Sequence, residues 1–292
     1  MAGLTWGDGG DTLAQLKAAR DLWPPRWRQA PLHYFGTIAS TNDAAVRLAL
    51  EGEPEGTAVV AREQSSGRGR RGRPWSSPAG GLWISVIVFL ERLQPQRLSL
   101  AAGVAAARAV EGCSATRCNL KWPNDLMVAG KKVGGILVEA VSDRSLAAAR
   151  PEGPPWRSRS DLAIVGIGMN CNQDVTLLEG HLRSTAATLR AATGTAVCLP
   201  ILTGRLMCEL EQALGLLRRG QWPGILSEWA ARDLLAGKSV RVKAGGREFE
   251  GDYSGIGERG EMLLRTQEGM REISSADEVR VVGSECNGRE AG

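Results

Sequence analysis

Apolar residues fall in short, dense runs broken by polar, glycine-bearing turns. Residues 57–62 (TAVVAR), 80–90 (GGLWISVIVFL), 132–141 (KVGGILVEAV) and 162–170 (LAIVGIGMN) are rich in valine and isoleucine and end at turn residues, which predicts buried strands. Residues 32–38 (LHYFGTI) predict a shorter one. Between these runs the spacing becomes helical. Ser40-Thr41-Asn42-Asp43 is an N-cap cluster before a helix predicted to run to about Leu50. Residues 98–112 predict an alanine-rich helix buried on most faces, and residues 201–219 and 223–235 predict two more. Near the start, residues 11–22 predict one amphipathic helix, stopped by Trp23-Pro24-Pro25.

Strands mixed with helices, with hairpin-like joins at Gly130 and across residues 142–161, predict an α+β fold: a mixed β-sheet packed with helices. After Gly237 the texture changes. Val240, Val242, Phe249, Tyr253, Leu263, Ile273, Val279 and Val281 sit in short runs separated by glycine turns, which predicts a small all-β barrel. The expected organisation is an N-terminal extension (1–31), a main domain (32–236), the barrel (237–283) and a tail (284–292). Residues 142–161 are polar and proline-bearing and read as a loop between strands.

Composition bounds the partners. A hydrophobic content of 43% and a charged content of 23% are ordinary for a globular chain, and a net charge of +4 demands neither nucleic acid nor membrane. The run 82–90 is far short of the roughly 20 apolar residues a membrane helix needs. The first residues (MAGLTWGDGGD) lack the basic and apolar regions of a signal peptide. Six cysteines form no C-x-x-C pair and there are two histidines, so no protein-held metal site is expected. Reduced thiols in the cytoplasm are the expectation. Residues 238–283 carry eight basic and nine acidic side chains, which leaves the barrel without a positive footprint for nucleic acid.

One stretch stands apart: Gln64-Ser65-Ser66-Gly67-Arg68-Gly69-Arg70-Arg71-Gly72-Arg73-Pro74-Trp75. Four arginines repel one another and three glycines disfavour helix, so this segment is not expected to be ordered alone. It asks for anions. Guanidinium forks grip phosphate and carboxylate, and glycines expose backbone N–H groups. The flanking strands pin it, unlike a free basic tail. Gly67-x-Gly69-x-x-Gly72 fits the dinucleotide fingerprint in form only, because Pro74 and a strand follow where a helix is required. Gly237-Lys238-Ser239 lacks the preceding glycine of a phosphate-binding P-loop.

Five segments put polar residues or glycines where core elements end: Ser40-Thr41-Asn42, residues 64–75, 121–125, 132–135 and 166–170. Within them lie Gln-x-x-Gly-Arg-Gly-Arg-x-Gly-Arg at 64–73, Lys-Trp-Pro-Asn-Asp at 121–125, and Lys-x-Gly-Gly-Ile-Leu-x-Glu at 132–139. In this order, over about residues 32–283, the chain resembles the biotin protein ligase family. The resemblance implies a class II synthetase-like biotin/lipoate ligase core with a small C-terminal SH3-like β-barrel. It implies a two-step reaction. Biotin and Mg²⁺-ATP give biotinyl-5′-AMP and pyrophosphate, and the adenylate then biotinylates one lysine of a carboxylase's biotin carboxyl carrier domain.

The chemistry suits the residues. A carboxylate is ionised at neutral pH, so step one needs charge neutralisation and alignment rather than a general base. The resemblance implies that Ser40, Thr41, Asn42 and Gln64 bind biotin's ureido head or its surroundings. It implies that Gly67, Arg68, Gly69 and Arg70 wrap the valerate tail and the forming acyl phosphate. Lys132 would meet the carboxyl and the α-phosphate, with Gly135 and Gly166 leaving room. Arg71, Arg73, Trp75, Asn124, Asp125 and Asn170 would lie on the nucleotide side. Lys132, Arg70 and Arg68 are the expected catalytic residues. Asp125 is expected to contact the incoming amine or Mg²⁺.

Taken singly, each segment also has a plain reading. Ser40-Thr41-Asn42 can be a helix cap, Pro123-Asn124-Asp125 a turn, Lys132 a solvated lysine, Gly134-Gly135 a bulge, and Gly166 and Gly168 packing glycines. Those readings do not explain the shared order. The runner-up is a lipoate or octanoate ligase or transferase of the same fold. An RNA-binding module built on the arginine loop is the reading from another class. Some family members add an N-terminal helix-turn-helix domain; about 31 residues are too few, so operator binding is not expected. The family occurs as monomers and homodimers, and the sequence leaves that open.

Overall fold

The computed structural model describes residues 10–90, 93–141, 162–174, 176 and 184–282. The expected loop at 142–161 and the tail at 284–292 lie outside the described residues. The chain enters through helix α1 (Gly10–Ala18) and a 3₁₀ turn (Ala19–Leu22), the single predicted N-terminal helix in two pieces. Trp23 and Trp27 behind it are buried. Gly56 makes room for Trp27: a Cβ on this positive-φ glycine would stand 2.4 Å from the indole.

A seven-stranded sheet carries the core. Its strands are β1 (Leu32–Ile38), β2 (Ala58–Gln64), β3 (Leu82–Phe89), β4 (Asn119–Lys121), β5 (Asp125–Val128), β6 (Lys131–Val141) and β7 (Leu162–Met169), in the order β1-β2-β3-β7-β6-β5-β4. Only β1 and β2 are parallel, joined by α2 (Thr41–Glu51); the other neighbours are antiparallel. The predicted mixed sheet is therefore present. On β3, Val86 and Val88 face the main core while Ile87 faces a smaller one under α2 with Ala45, Val59 and Ile164. Both faces are covered, which accounts for an apolar run broken only by the buried Ser85 where a half-exposed strand would alternate.

The alanine-rich helix α3 (Pro95–Cys113) packs against the sheet's other face. Its small side chains let the backbone approach: Gly103 lies under Trp229, 3.0 Å from where a Cβ would stand. A short helix α4 (Leu189–Thr193) was not expected. Helix α5 (Leu199–Arg218) begins two residues before its predicted start and tolerates Pro200 in its first turn, where no N–H is needed. Helix α6 (Trp222–Arg232) ends before its predicted limit.

The predicted barrel is a five-stranded antiparallel sheet: β8 (Ser239–Ala244), β9 (Arg247–Ile256), β10 (Met262–Thr266), β11 (Gly269–Ile273) and β12 (Glu278–Val281), in the order β11-β10-β9-β8-β12. Trp122 Nε1 donates to Gly260 O at 3.0 Å and Leu234 N donates to Leu120 O at 2.8 Å. The first bond fastens the small sheet to the β4–β5 hairpin, and the second holds the segment leading into it beside β4.

Candidate active site

A cavity of about 710 Å³ opens over the sheet between the arginine loop, the β4–β5 hairpin and residues 276–280 of the small sheet. All of the predicted residues line it except Gly67. Gly67 works behind the wall. A Cβ there would stand 2.5 Å from Ser77 Oγ and 2.5 Å from Trp75 O.

The register builds the floor. Ala61, Trp83, Gly168, Gly135, Asp125 and Lys121 are successive partners across β2, β3, β7, β6, β5 and β4. Partners directly opposite in antiparallel strands point to one side of the sheet. The two glycines leave the middle of that row bare. Trp75 lies over it, its Nε1 2.9 Å from where a Cβ of Gly168 would stand.

One end of the cavity is a buried polar network. Ser40, Thr41 and Asn42 are all nearly inaccessible at the start of α2. Ser40 caps the helix, its Oγ accepting from Asp43 N at 3.4 Å. Gln64 Oε1 accepts from Thr41 N at 2.8 Å, and its Nε2 donates to Ser77 Oγ at 2.9 Å. Ser85 Oγ lies 2.8 Å from Thr41 Oγ1 and 2.5 Å from Asn42 Oδ1. Asn42 Nδ2 donates to Glu139 at 2.6 Å. The space left by Gly166 belongs to this amide, since a Cβ there would stand 2.3 Å from Asn42 Oδ1.

Arg68 is a brace. It donates to Glu139 at 2.9 and 3.1 Å, to Asp43 at 2.9 Å and to Ser40 Oγ at 3.2 Å. The Asp43 hydrogen bond, aided by Glu139 and opposed by burial, holds its pKa above the ordinary arginine value. The expected role at the valerate tail therefore falls to a guanidinium whose fork already ties the loop to α2 and β6. Glu139 was not among the predicted site residues. Its signal was its place in the Lys-x-Gly-Gly-Ile-Leu-x-Glu motif.

Within the protein the arginine loop is folded. Gly69 N donates to Arg73 O at 2.7 Å and Trp75 N to Gly67 O at 2.9 Å, which closes a hairpin. The small sheet supplies what the loop lacks. Arg70 donates to Ser275 Oγ at 3.0 Å, Arg73 donates to Asp277 O at 2.6 Å, and Arg71 pairs with the Asp277 carboxylate. Arg71 is held at φ 59, a conformation non-glycine residues rarely take. Burial, with Arg71 beside it, pushes the Arg70 guanidinium below its ordinary pKa.

Across the cavity, Lys132 Nζ meets Asp125 Oδ1 at 2.5 Å and lies 5.1 Å from the centroid of a Trp75 ring. Asn124 reads the backbone of Ile136, donating to its O at 2.8 Å and accepting from its N at 2.9 Å. Asn170 is similarly internal: Nδ2 donates to Ala187 O at 3.3 Å and Oδ1 accepts from Gln173 at 2.8 Å. Nucleophilic thiols do not figure here. Burial pushes Cys171 and Cys118 up to about 12 and Cys113 up to about 11.

This sheet, with a cation-lined chamber continuous with a polar slot and an attached small β-sheet, is the architecture of a ligase. Residues 34–149 match the biotin/lipoate A/B protein ligase family and residues 236–277 match the biotin protein ligase C-terminal domain. The bifunctional ligase/repressor BirA of Bacillus spizizenii is 34% identical over 250 residues, covering 84% of this chain and 73% of that protein. The biotin–[acetyl-CoA-carboxylase] ligase of Paracoccus denitrificans is 31% identical over 244 residues, covering 82% of this chain and 95% of that protein. The structure of the Aquifex aeolicus biotin protein ligase in complex with biotin and ATP aligns with a TM-score of 0.73 at 29% identity, over 86% of this chain and 99% of that one. The chain belongs to the biotin protein ligase family.

Proposed function

We propose that the chain activates biotin with ATP and transfers it to a lysine of a biotin carboxyl carrier domain. The observation carrying this reading is the continuity of one cavity from Thr41, Asn42 and Gln64 of the buried polar network to the cations Arg70 and Lys132. A ureido ring needs paired donors and acceptors within an apolar surround, and the network offers them. The carboxylate at the other end of biotin then reaches the cationic part of the cavity.

There a carboxylate oxygen bonds to the α-phosphorus of ATP as pyrophosphate leaves with the electron pair. Lys132 and Arg70 neutralise the two anions as they approach. Arg71, Arg73, Trp75, Asn124, Asp125 and Asn170 form the nucleotide side. Arg68, with Gly67 and Gly69, shapes the loop over the tail. Loop and small sheet together shield the mixed anhydride from water. The carrier lysine then attacks the acyl carbon and AMP leaves.

Mg²⁺ would arrive with the phosphates and take one or two protein carboxylates. Asp125, Asp277 and Glu278 line the cavity, but they are paired with Lys132, Arg71 and Arg280, and among the described residues no three such side chains are grouped to hold a metal, so the phosphates themselves would be the main ligands of Mg²⁺. When bound, it would neutralise phosphate charge. We take residues 32–236 as the catalytic unit and 237–283 as its partner barrel, working in the cytoplasm as a monomer or homodimer. Among the described residues, no helix is long and apolar enough to cross a membrane.

The test is biotin-dependent exchange of labelled pyrophosphate into ATP, with lipoate in parallel. Exchange with biotin alone is expected. Exchange with lipoate would move the assignment to the sister activity, and none with either would overturn adenylation.

A further inference from the structure

Lys121 opens the Lys-Trp-Pro-Asn-Asp motif, yet neither the motif reading nor the chemistry above gives it a separate part. It ends β4, at the sheet edge, in the floor row shared with Asp125, Gly135, Gly168 and Trp83. Four strand steps separate it from Trp83, about 19 Å at the usual spacing. The polar slot of Thr41, Gln64 and Ser85 lies at the β2–β3 end of the same cavity. Lys121 therefore stands at the opposite end from the slot, where the small sheet contributes Glu278 and Arg280.

Most other cations of the wall are already paired with acidic groups or carbonyls, and Arg70, which has only the Ser275 hydroxyl, belongs to the carboxylate and α-phosphate side. Arg68 is held by Glu139 and Asp43, Arg71 by Asp277, Arg73 by the Asp277 carbonyl and Lys132 by Asp125. Among the described residues, no carboxylate lies within ion-pair distance of the Lys121 ammonium and no hydrogen bond holds it. Its charge is nevertheless partly withdrawn from water. Burial lowers its pKa, Asp125 opposes that shift and Lys132 adds to it. An ammonium so placed is stabilised by a multiply charged anion, and the chamber beside it is large enough to admit one.

We propose that Lys121 binds the pyrophosphate end of ATP and neutralises it as it leaves. The proposal rests on the adenylation reading. In that step the carboxylate oxygen of biotin bonds to the α-phosphorus while the bond from that phosphorus to the α,β-bridging oxygen breaks. The bridging oxygen keeps the electron pair, so charge builds on pyrophosphate, and no proton moves. Lys121 donates hydrogen bonds to those oxygens. Lys132 and Arg70 serve the carboxylate and the α-phosphate, which remain after pyrophosphate has gone. Lys121 thus belongs to the first half-reaction and not to the second.

The test compares the wild type with Lys121→Met and Lys121→Arg. Calorimetric titration with inorganic pyrophosphate should show affinity weakened about 10- to 100-fold in Lys121→Met and largely kept in Lys121→Arg. Pyrophosphate–ATP exchange should fall by a similar factor, with a raised KM for pyrophosphate. Biotin affinity, and transfer from supplied biotinyl-5′-AMP to a carrier domain, should stay unchanged. Unaltered pyrophosphate affinity in Lys121→Met would overturn the assignment. So would equal losses in biotin affinity and transfer, which would mark a structural lysine. If the wild type showed no biotin-dependent exchange, adenylation itself would fail, while the titration would still decide whether Lys121 holds pyrophosphate.

Discussion

Lys132 and Asp125 face each other at 2.5 Å across the β5–β6 ladder, with the Trp75 indole beside the ammonium. The two are not register partners: Asp125 stands opposite Gly135 and Lys132 opposite Met127, so the lysine stem reaches along the ladder to make the pair. The carboxylate keeps the ammonium aimed into the chamber until a phosphate or a carboxylate competes for it.

Lys132→Ala should slow biotinyl-5′-AMP formation by about 10²- to 10³-fold, the usual cost of losing a preorganised electrostatic partner. The melting temperature should barely move, because the side chain is about one-third exposed (32%). Pyrophosphate exchange and a thermal melt on the same preparation check both. Activity and stability lost in step would instead make Lys132 a structural residue. Asp125→Asn should leave the fold intact and lower both half-reactions less than Lys132→Ala does.

Gly166→Ala should cost about 1–3 kcal/mol of stability and weaken biotin binding, because the new methyl collides with Asn42 Oδ1. The same substitution in an Asn42→Ala background should cost much less, since the obstacle has gone. A double-mutant cycle from urea denaturation measures this coupling. Strict additivity would mean that the glycine serves some other neighbour.

Glu139→Gln should release Arg68 and Asn42 together. One charged acceptor serves both, so stability should drop by about 2 kcal/mol. The KM for biotin should rise more than kcat falls, because the slot is disordered before the phosphates are reached. Steady-state kinetics with biotin varied at saturating ATP separates the two. A change confined to kcat would contradict this role.

The residue pattern made the sheet, its helices and the glycine turns readable, because burial on both faces forces nearly continuous apolar runs in β3, where only Ser85 is polar, and in β7. The motifs also identified the walls of the cavity. What stayed hidden depends on contacts between distant segments. Arg71 and Asp277 are separated by 206 positions, and no local feature of residues 275–280 marks a segment that folds the arginine loop. Glycine roles were also ambiguous. Gly166 and Gly135 look alike in sequence, yet one accommodates an asparagine and the other bares the cavity floor. Arg68 looked like a ligand hook because its partners, Asp43 and Glu139, lie 25 and 71 positions away.

Tyr253→Phe offers a pH-dependent test at the junction of α6 with the small sheet. Tyr253 Oη donates to Asp233 at 2.5 Å, and burial raises the Asp233 pKa while this bond lowers it. A carboxyl whose folded pKa lies above its unfolded value costs stability when ionised, and that cost fades as pH falls through the titration. Without the phenol the ionised form loses a donor. The variant should therefore be about 1–2 kcal/mol less stable near pH 8, with the deficit shrinking toward about pH 4. Unfolding midpoints at several pH values check the sign, and a pH-independent deficit would point to packing alone.

Residues 276–280 lie more than a hundred positions beyond the last recognised motif, yet they form one side of the chamber. Gene fragments and draft reading frames that stop near Gly237 would keep all three motif strings while losing the C-terminal domain match and this wall. They would encode a vessel with a missing side. For this fold, counting motifs overestimates the number of working genes, and a late stop codon deserves the weight usually given to a lost catalytic lysine.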